Sequence, residues 1–510
     1  MRFTRLMTKV FSRRLFLSTS VSGFAAAAHA GAPAVSLRPK LRPERTAAAR
    51  PAVKTHPNVP DAQVLVDEAK LGGKVAYAVV DADTGSMMET RNSATGFAPA
   101  SVTKAVTALY AINTLGATYR FRTRLIATGP IEDGVIKGDL VLAGGGDPTL
   151  DTNALADMAA KLKAAGIKGV TGKFRVFEKA IPYIRMIDAT QPDHVGYNPS
   201  ISGLNLNYNR VHFQWKRSAG KYHVTMDARS NKYRPEVRVA RISVTDRKVP
   251  VYTYKDAGDH DKWTVARSAL GKAGTRWLPV RRPGDYAGEV FATFARSHGI
   301  QLKIGKKQLK APKGTAVVTH RSVTLHVILK GMLRYSNNLT AEVVGMTATV
   351  ARIGKVASMR ASAREMSIWA SRELGMKDAA LVDHSGLGDA SRLSAQSLAR
   401  ALAKVSGDGV LAPMLKAFTM RHENGKVNAS HPIKVSAKTG TLYFVSTLAG
   451  YAVAPNGKRL AFAIFSSSVE KRKSFDKSTP DRPPGASAWN KRAKRLQQKL
   501  IERWSTIYAG

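Results

Sequence analysis

The stretch Pro99–Ile112 reads PASVTKAVTALYAI, with a serine and a lysine three residues apart just ahead of an apolar run. After Lys104 the apolar positions Val106, Leu109, Tyr110 and Ile112 recur at helical spacing, so Ser101 and Lys104 fall at or near a helix N-terminus. Positions i and i+3 share a helix face, which brings the lysine amine within reach of the serine hydroxyl. Alone, such a spacing reads as a helix cap or a surface pair. It recurs at Ser218, Ser468 and Ser474, and none of these opens an apolar helix.

Two further stretches change that reading. The chain also carries YSNN, with Ser336 and Asn338, and KTGT, with Lys438, Thr439, Gly440 and Thr441. The order Ser-x-x-Lys, Ser-x-Asn, Lys-Thr-Gly is the signature of penicillin-recognising serine enzymes. The chemistry explains the residue types. A serine hydroxyl attacks only when a base takes its proton, and Lys104 can be that base if its amine is neutral. Burial and a second cation, Lys438, both favour the neutral form. Lys438 on a strand edge, with the hydroxyls of Thr439 and Thr441, can hold the terminal carboxylate of a peptide. Gly440 lets an extended substrate lie against that strand as an added one. The N–H groups of Ser101 and Thr441 form the expected oxyanion hole, Ser336 relays a proton to the departing amine, and Asn338 orients Lys104 and the substrate amide.

On these motifs the chain resembles the D-alanyl-D-alanine carboxypeptidase/endopeptidase family of low-molecular-mass penicillin-binding proteins, the penicillin-binding protein 4 type. The segments LAGGGDPTL (142–150), NPSISGLNLNYNRV (198–211) and VDHSGLGDASRLSA (382–395) are similar to ones typical of it. The resemblance covers most of the chain after its N-terminal leader. It implies a mixed α+β fold: a penicillin-binding catalytic domain, with an antiparallel sheet flanked by helices, plus inserted strand-rich domains. It also implies hydrolysis of the terminal D-Ala-D-Ala bond and of D-alanyl cross-links in peptidoglycan stem peptides through an acyl-enzyme on Ser101, covalent binding of β-lactams, and no cofactor or metal. Asn337 departs from the Asp that many relatives carry there.

The rest of the chain fits around this site. A hairpin is expected in GGKVAYAVVDADTGSMMETR (72–91), helical periodicity returns over LHVILKGMLRYSNNLTAEVVGMTATVA (325–351) and over 357–374, and three apolar runs between 433 and 468 read as an antiparallel meander. A final helix is expected from about Asn490 to Tyr508, its basic residues forming a solvated face. More than two hundred residues separate Lys104 from Ser336, room for further domains. The expected organisation is a signal peptide over 1–30, a flexible linker over 31–60, a catalytic domain from 61–125 and 310–510, and inserted material over 126–309.

The N-terminus has a basic segment, an apolar segment and small residues ending at Ala30, the pattern of an export signal, and Ser12–Leu17 (SRRLFL) resembles the twin-arginine form. A periplasmic or otherwise exported protein is expected. With 80 Lys and Arg against 36 Asp and Glu, the net charge of +44 suits peripheral contact with an acidic wall or membrane surface. No nucleic-acid-binding motif accompanies it. The absence of cysteine excludes disulfides and thiolate chemistry.

Competing readings are weaker. A compact β-lactamase leaves no room for so long an insertion, and a non-catalytic wall-binding scaffold of the same fold has no use for the full set of Ser101, Lys104, Ser336, Asn338 and Lys438. Asp383, His384 and Ser385 are adjacent and cannot take triad geometry with one another; in the resembled family such a run is a structural or substrate-lining turn near the rim of the catalytic domain. AGGGDPTL and GVTGKF lack the Gly-Lys-Ser/Thr of a phosphate loop, and the histidines lack zincin spacing.

Overall fold

The computed structural model describes residues 56–473 and 483–509. The expected signal peptide, and the expected linker as far as residue 55, lie outside the described residues. Helix α1 (Ala62–Glu68) is capped by the Asp61 carboxylate and leads into the hairpin β1 (Lys74–Asp81) and β2 (Met87–Arg91). A 3-10 turn, Ala100–Val102, then runs into α2 (Thr103–Leu115).

The central segment follows. It contains β3 (Arg122–Ala127), β4 (Leu140–Gly144), α3 (Thr152–Ala164), β5 (Phe174–Phe177), β6 (Arg210–Ser218), β7 (Lys221–Asp227), β8 (Ala240–Thr245), β9 (Tyr252–Asp256), β10 (Asp261–Ala266), β11 (Ala273–Pro279), α4 (Pro283–Ser297) and β12 (Thr315–Arg321). Strands β3 to β12 form three sheets, in the orders β12-β3-β4-β5, β7-β6-β11 and β8-β10-β9, and the two-residue strands Ile131–Glu132, Val135–Ile136 and Gly169–Val170 form a fourth. Leu142, Leu155, Phe213, Trp263 and Phe291 belong to one buried cluster that these sheets share with α3 and α4. Because β3 and β12 pair antiparallel from Arg122↔Arg321 to Ala127↔Thr315, the limits we propose for the central segment are 122 and 321 rather than 126 and 309.

The chain returns through α5 (Leu325–Tyr335), α6 (Asn338–Ile353), α7 (Met359–Leu374) and α8 (Ala395–Lys404). The helical stretch over 325–351 is therefore two helices. Ser336 breaks it in a left-handed conformation, φ 57°, and the Asn337 side chain caps α6 by accepting the Thr340 N–H at 2.9 Å. Asn and Asp are equally good caps, so Asn337 keeps the local structure that an Asp gives. A two-residue strand β13 (Lys416–Ala417) precedes the meander β14 (Lys434–Leu442), β15 (Val445–Val453) and β16 (Arg459–Ser467), and α9 (Ala486–Ala509) starts four residues before the expected position.

Among the described residues the largest sheet has the order β13-β14-β15-β16-β1-β2, so the N-terminal hairpin completes the C-terminal meander. Strand side chains alternate between faces. Ala76, Ala78 and Val80 pack toward α2, α5, α6, α7 and α8, while Val75, Tyr77 and Val79 pack with Trp489, Leu496 and Trp504 of α9. Both faces of β1 are covered, which is why its sequence is an unbroken apolar run rather than an alternating one.

The basic residues of α9 are not all solvated. Arg503 and Glu89 of β2 form a buried ion pair, and the same carboxylate accepts from Trp504 Nε1 at 3.3 Å and Tyr508 OH at 3.0 Å. Removing one partner of a buried pair strands the other charge. Arg503→Ala is expected to lower stability by about 3–5 kcal/mol in chemical denaturation, with much of the loss recovered in an Arg503→Met/Glu89→Gln double variant. An Arg503→Ala protein that unfolds like wild type would show that the pair does not anchor α9.

Candidate active site

The 3-10 turn raises Ser101 to the surface of the cleft, and the first turn of α2 carries Lys104 beneath it. Lys104 is 0 % exposed. Its Nζ lies 2.9 Å from Ser101 Oγ, 2.7 Å from Asn338 Oδ1 and 2.7 Å from the Ser385 carbonyl oxygen. A neutral amine has two N–H donors and one lone pair. Two of the three neighbours here, the carbonyl oxygens of Asn338 and Ser385, can only accept. With both donors committed to them, the lone pair is left for the Ser101 hydroxyl. That is the geometry of a general base.

The electrostatics agree. Burial, reinforced by the charge of Lys438, pushes the Lys104 pKa well below that of an ordinary lysine, although Asp383 and Glu342 pull the other way. Lys438 is itself 2 % exposed. Burial, with the charge of Lys416 added, brings it down to about 8. Its Nζ donates to Ser336 Oγ at 2.9 Å and to the Thr439 carbonyl at 2.7 Å. The left-handed turn at Ser336 is what brings that hydroxyl from the end of α5 to β14. The structure therefore gathers the five residues into two hydrogen-bonded groups, Ser101–Lys104–Asn338 and Ser336–Lys438, with the charge of Lys438 bearing on Lys104.

The remaining expected residues lie on β14. Its outer edge is covered by β13 only at Ser436 and Ala437, which leaves Lys438–Leu442 without a neighbouring strand on that side, and the side chains of Thr439 and Thr441 are exposed there. Gly440 has a steric reason besides the expected one. A Cβ at this position would stand 2.1 Å from Thr447 Oγ1 and 2.9 Å from the Ser101 amide nitrogen. The glycine thus lets β14 press against the turn that carries Ser101. It brings β14 directly beside the Ser101 N–H.

Asn338 also makes a contact that the sequence does not announce. Its Nδ2 donates to the Tyr197 carbonyl of the central segment at 2.8 Å.

The run Asp383–Ser385 is not at the rim. All three residues are buried, and the turn lies against the base. Gly386, at φ 72°, packs so closely on Ala100 that a Cβ would meet the Ala100 carbonyl oxygen. Glu342, one turn along α6 from Asn338, accepts from the Ser385 N–H at 2.9 Å and the His384 N–H at 3.0 Å, and its Oε2 is 2.9 Å from His384 Nδ1. Burial works against this carboxylate, but the bonds from His384 and Ser385 outweigh it and hold its pKa below the usual range. Burial and the nearby Glu342 raise Asp383 to about 7. The sequence reading missed Glu342, the Ser385 carbonyl and the Tyr197 carbonyl. Of these only Glu342 had a signal, since i and i+4 share a helix face with Asn338. Among the described residues no group of three or more His, Asp or Glu is arranged to hold a metal ion.

A profile of the D-Ala-D-Ala carboxypeptidase 3 (S13) family matches residues 61–481. A D-alanyl-D-alanine carboxypeptidase of Actinomadura sp. (strain R39) is 26% identical over 447 residues, covering 79% of each chain. The D-alanyl-D-alanine carboxypeptidase DacB of Haemophilus influenzae is 24% identical over 424 residues, covering 79% of this chain and 87% of its own. The fold matches the crystal structure of penicillin-binding protein 4 from the same organism with a TM-score of 0.71 at 19% identity, covering 87% of this chain and 100% of that one. A second structure of that protein, in complex with a β-lactam, matches with a TM-score of 0.68.

Gly440→Ala is expected to keep the fold but to move β14 away from Ser101. A displacement of about 1 Å near reacting groups costs on the order of a hundredfold in rate, so D-alanine release should fall by about that factor while the melting temperature changes little. Near-wild-type turnover in this variant would show that the close approach is dispensable.

Proposed function

The chain belongs to the D-Ala-D-Ala carboxypeptidase 3 (S13) family, and on that premise we propose that it works through an acyl-enzyme on Ser101. It is a peptidase that removes D-alanine from D-Ala-D-Ala termini. Lys104 takes the Ser101 proton as Oγ attacks the carbonyl of the penultimate D-alanine. The N–H groups of Ser101 and Thr441 hold the tetrahedral oxyanion. Collapse breaks the amide bond, the proton passes through Ser336 to the leaving amine, and D-alanine departs. Water, deprotonated by the same lysine, then hydrolyses the ester. Lys438, Thr439 and Thr441 hold the substrate carboxylate.

What carries this reading is the Lys104 amine, buried among two carbonyl oxygens and one hydroxyl. The substrates we propose are peptidoglycan stem peptides, with cleavage of D-alanyl cross-links as a second activity of the same site. β-Lactams are proposed as covalent inhibitors, a reading supported by the β-lactam complex of the Haemophilus influenzae protein. The leader ending near Ala30 is proposed to direct export. Among the described residues no helix is long and apolar enough to cross a membrane.

A fluorescent penicillin should label the wild type and fail to label Ser101→Ala. An unlabelled wild type would favour the wall-binding scaffold. Release of free D-alanine from a pentapeptide tests trimming, and a cross-linked dimer tests endopeptidase action.

The pH dependence of kcat/KM is fixed by two lysines with opposite requirements. The rate should fall on the acid side as Lys104 takes up a proton, at a pH far below an ordinary lysine pKa. It should fall again on the alkaline side near pH 8, as Lys438 loses the charge that holds the carboxylate. An alkaline limb at pH 10 or above would mean that Lys438 is not the group titrating.

A further inference from the structure

Strand β13 is only two residues long, yet it stops at a telling place. Lys416 pairs with Ala437 and Ala417 with Ser436, so the covering of β14 ends one residue before Lys438. Lys416 is the first residue of β13, its side chain is exposed, and no ion pair holds it among the described residues. Its backbone stands across from Ala437, one level short of Lys438, and after burial its charge is the cause that depresses Lys438.

The direction of a bound peptide follows from the site as read above. The scissile carbonyl must lie beside Ser101, whose amide nitrogen abuts Gly440. The terminal carboxylate must reach Lys438. Such a peptide runs from the Gly440 level toward the Lys438 level, antiparallel to β14, in line with β13 and heading toward its first residue. A strand rises about 3.3 Å per residue, so two levels of β14 accommodate a single leaving residue. The next level, Ala437, is already occupied by Lys416.

We infer that Lys416 closes the far end of the substrate track and serves as a second cation for the free α-carboxylate of the leaving residue. This rests on the acyl-enzyme reading of Ser101 and adds to it the physical basis of selection. A peptide that continued beyond the leaving residue along β14 would run into β13, and a leaving residue without a carboxylate would offer nothing to the paired lysines. The two charges have different duties. Lys438, buried and bonded to Ser336, serves both the proton relay and the carboxylate. Lys416, exposed and unpaired, is specific to the carboxylate.

The test compares two acyl-D-Ala-D-Ala peptides, one with a free C-terminal carboxylate and one with a C-terminal carboxamide, on wild type, Lys416→Ala and Lys416→Arg. Lys416→Ala should lower kcat/KM for the free acid by about tenfold, mainly through KM, and change the carboxamide reaction less than twofold; Lys416→Arg should restore the preference. The alkaline limb of Lys416→Ala should also move to higher pH. The charge bearing on Lys438 is that of Lys416 on β13, its hydrogen-bond partners being the Ser336 hydroxyl and the Thr439 carbonyl, and deleting Lys416 removes a repulsion. Equal losses on both peptides, or no loss on the acid, would overturn the assignment. If Lys416→Ala is unstable, Lys416→Gln carries the same comparison. Penicillin labelling of Ser101, measured alongside, separates failure of this inference from failure of the acyl-enzyme reading.

Discussion

A primary amine held in a site too dry for its charge is the constraint from which the rest of this structure follows. Lys104 can act as a base only while neutral, and a protein keeps a lysine neutral by denying it water and placing another cation nearby. Both conditions demand architecture. Water is excluded by the helices packed on one face of the sheet, and the second cation must arrive on β14, from the other end of the chain. The carbonyl oxygens of Asn338 and Ser385 then fix the direction of the lone pair.

Those two oxygens depend on a platform of their own. Glu342 gathers the backbone N–H groups of His384 and Ser385 and the His384 ring into one buried knot, and the knot holds the Ser385 carbonyl against the lysine. It also places negative charge beneath the base, which opposes its neutral form. The enzyme thus combines a rigid mount with an electrostatic handicap, and burial and Lys438 outweigh the handicap. Asn338 links the same amine to the central segment through Tyr197, so the packing of that segment bears directly on the orientation of the base.

Much of this was legible in the sequence because motif chemistry and periodicity are local properties. The helix start at Ser101, the hairpin, the meander and the five polar residues of the site all declare themselves in short windows. The rest depends on contacts between distant residues. Nothing in the periodicity of 325–351 signals that Ser336 adopts a left-handed conformation, since the apolar spacing continues on both sides of the break. The pairing of Arg122–Ala127 with Thr315–Arg321 is invisible to any window, and so are the limits of the central segment. Arg503 looks like one more basic residue on a basic helix until Glu89 is found opposite it. The need for a glycine at 440 to clear Thr447 and Ser101 is likewise invisible in the sequence, because both neighbours are distant along the chain.

The order of strands in the large sheet sets a schedule for the growing chain. Val79 faces Phe462 across β1 and β16, so one of the first strands made waits for one of the last. Ser101 and Lys104 are synthesised early, yet Lys438 on β14, whose charge helps to depress the Lys104 pKa, emerges more than three hundred residues later. Until then Lys104 has neither its dry surroundings nor its repelling neighbour, and it stays protonated like any other lysine. On the proposed mechanism, a nascent chain carries a complete Ser-x-x-Lys pair with no hydrolytic power, and reactivity switches on only when the two ends of the sequence meet in one sheet.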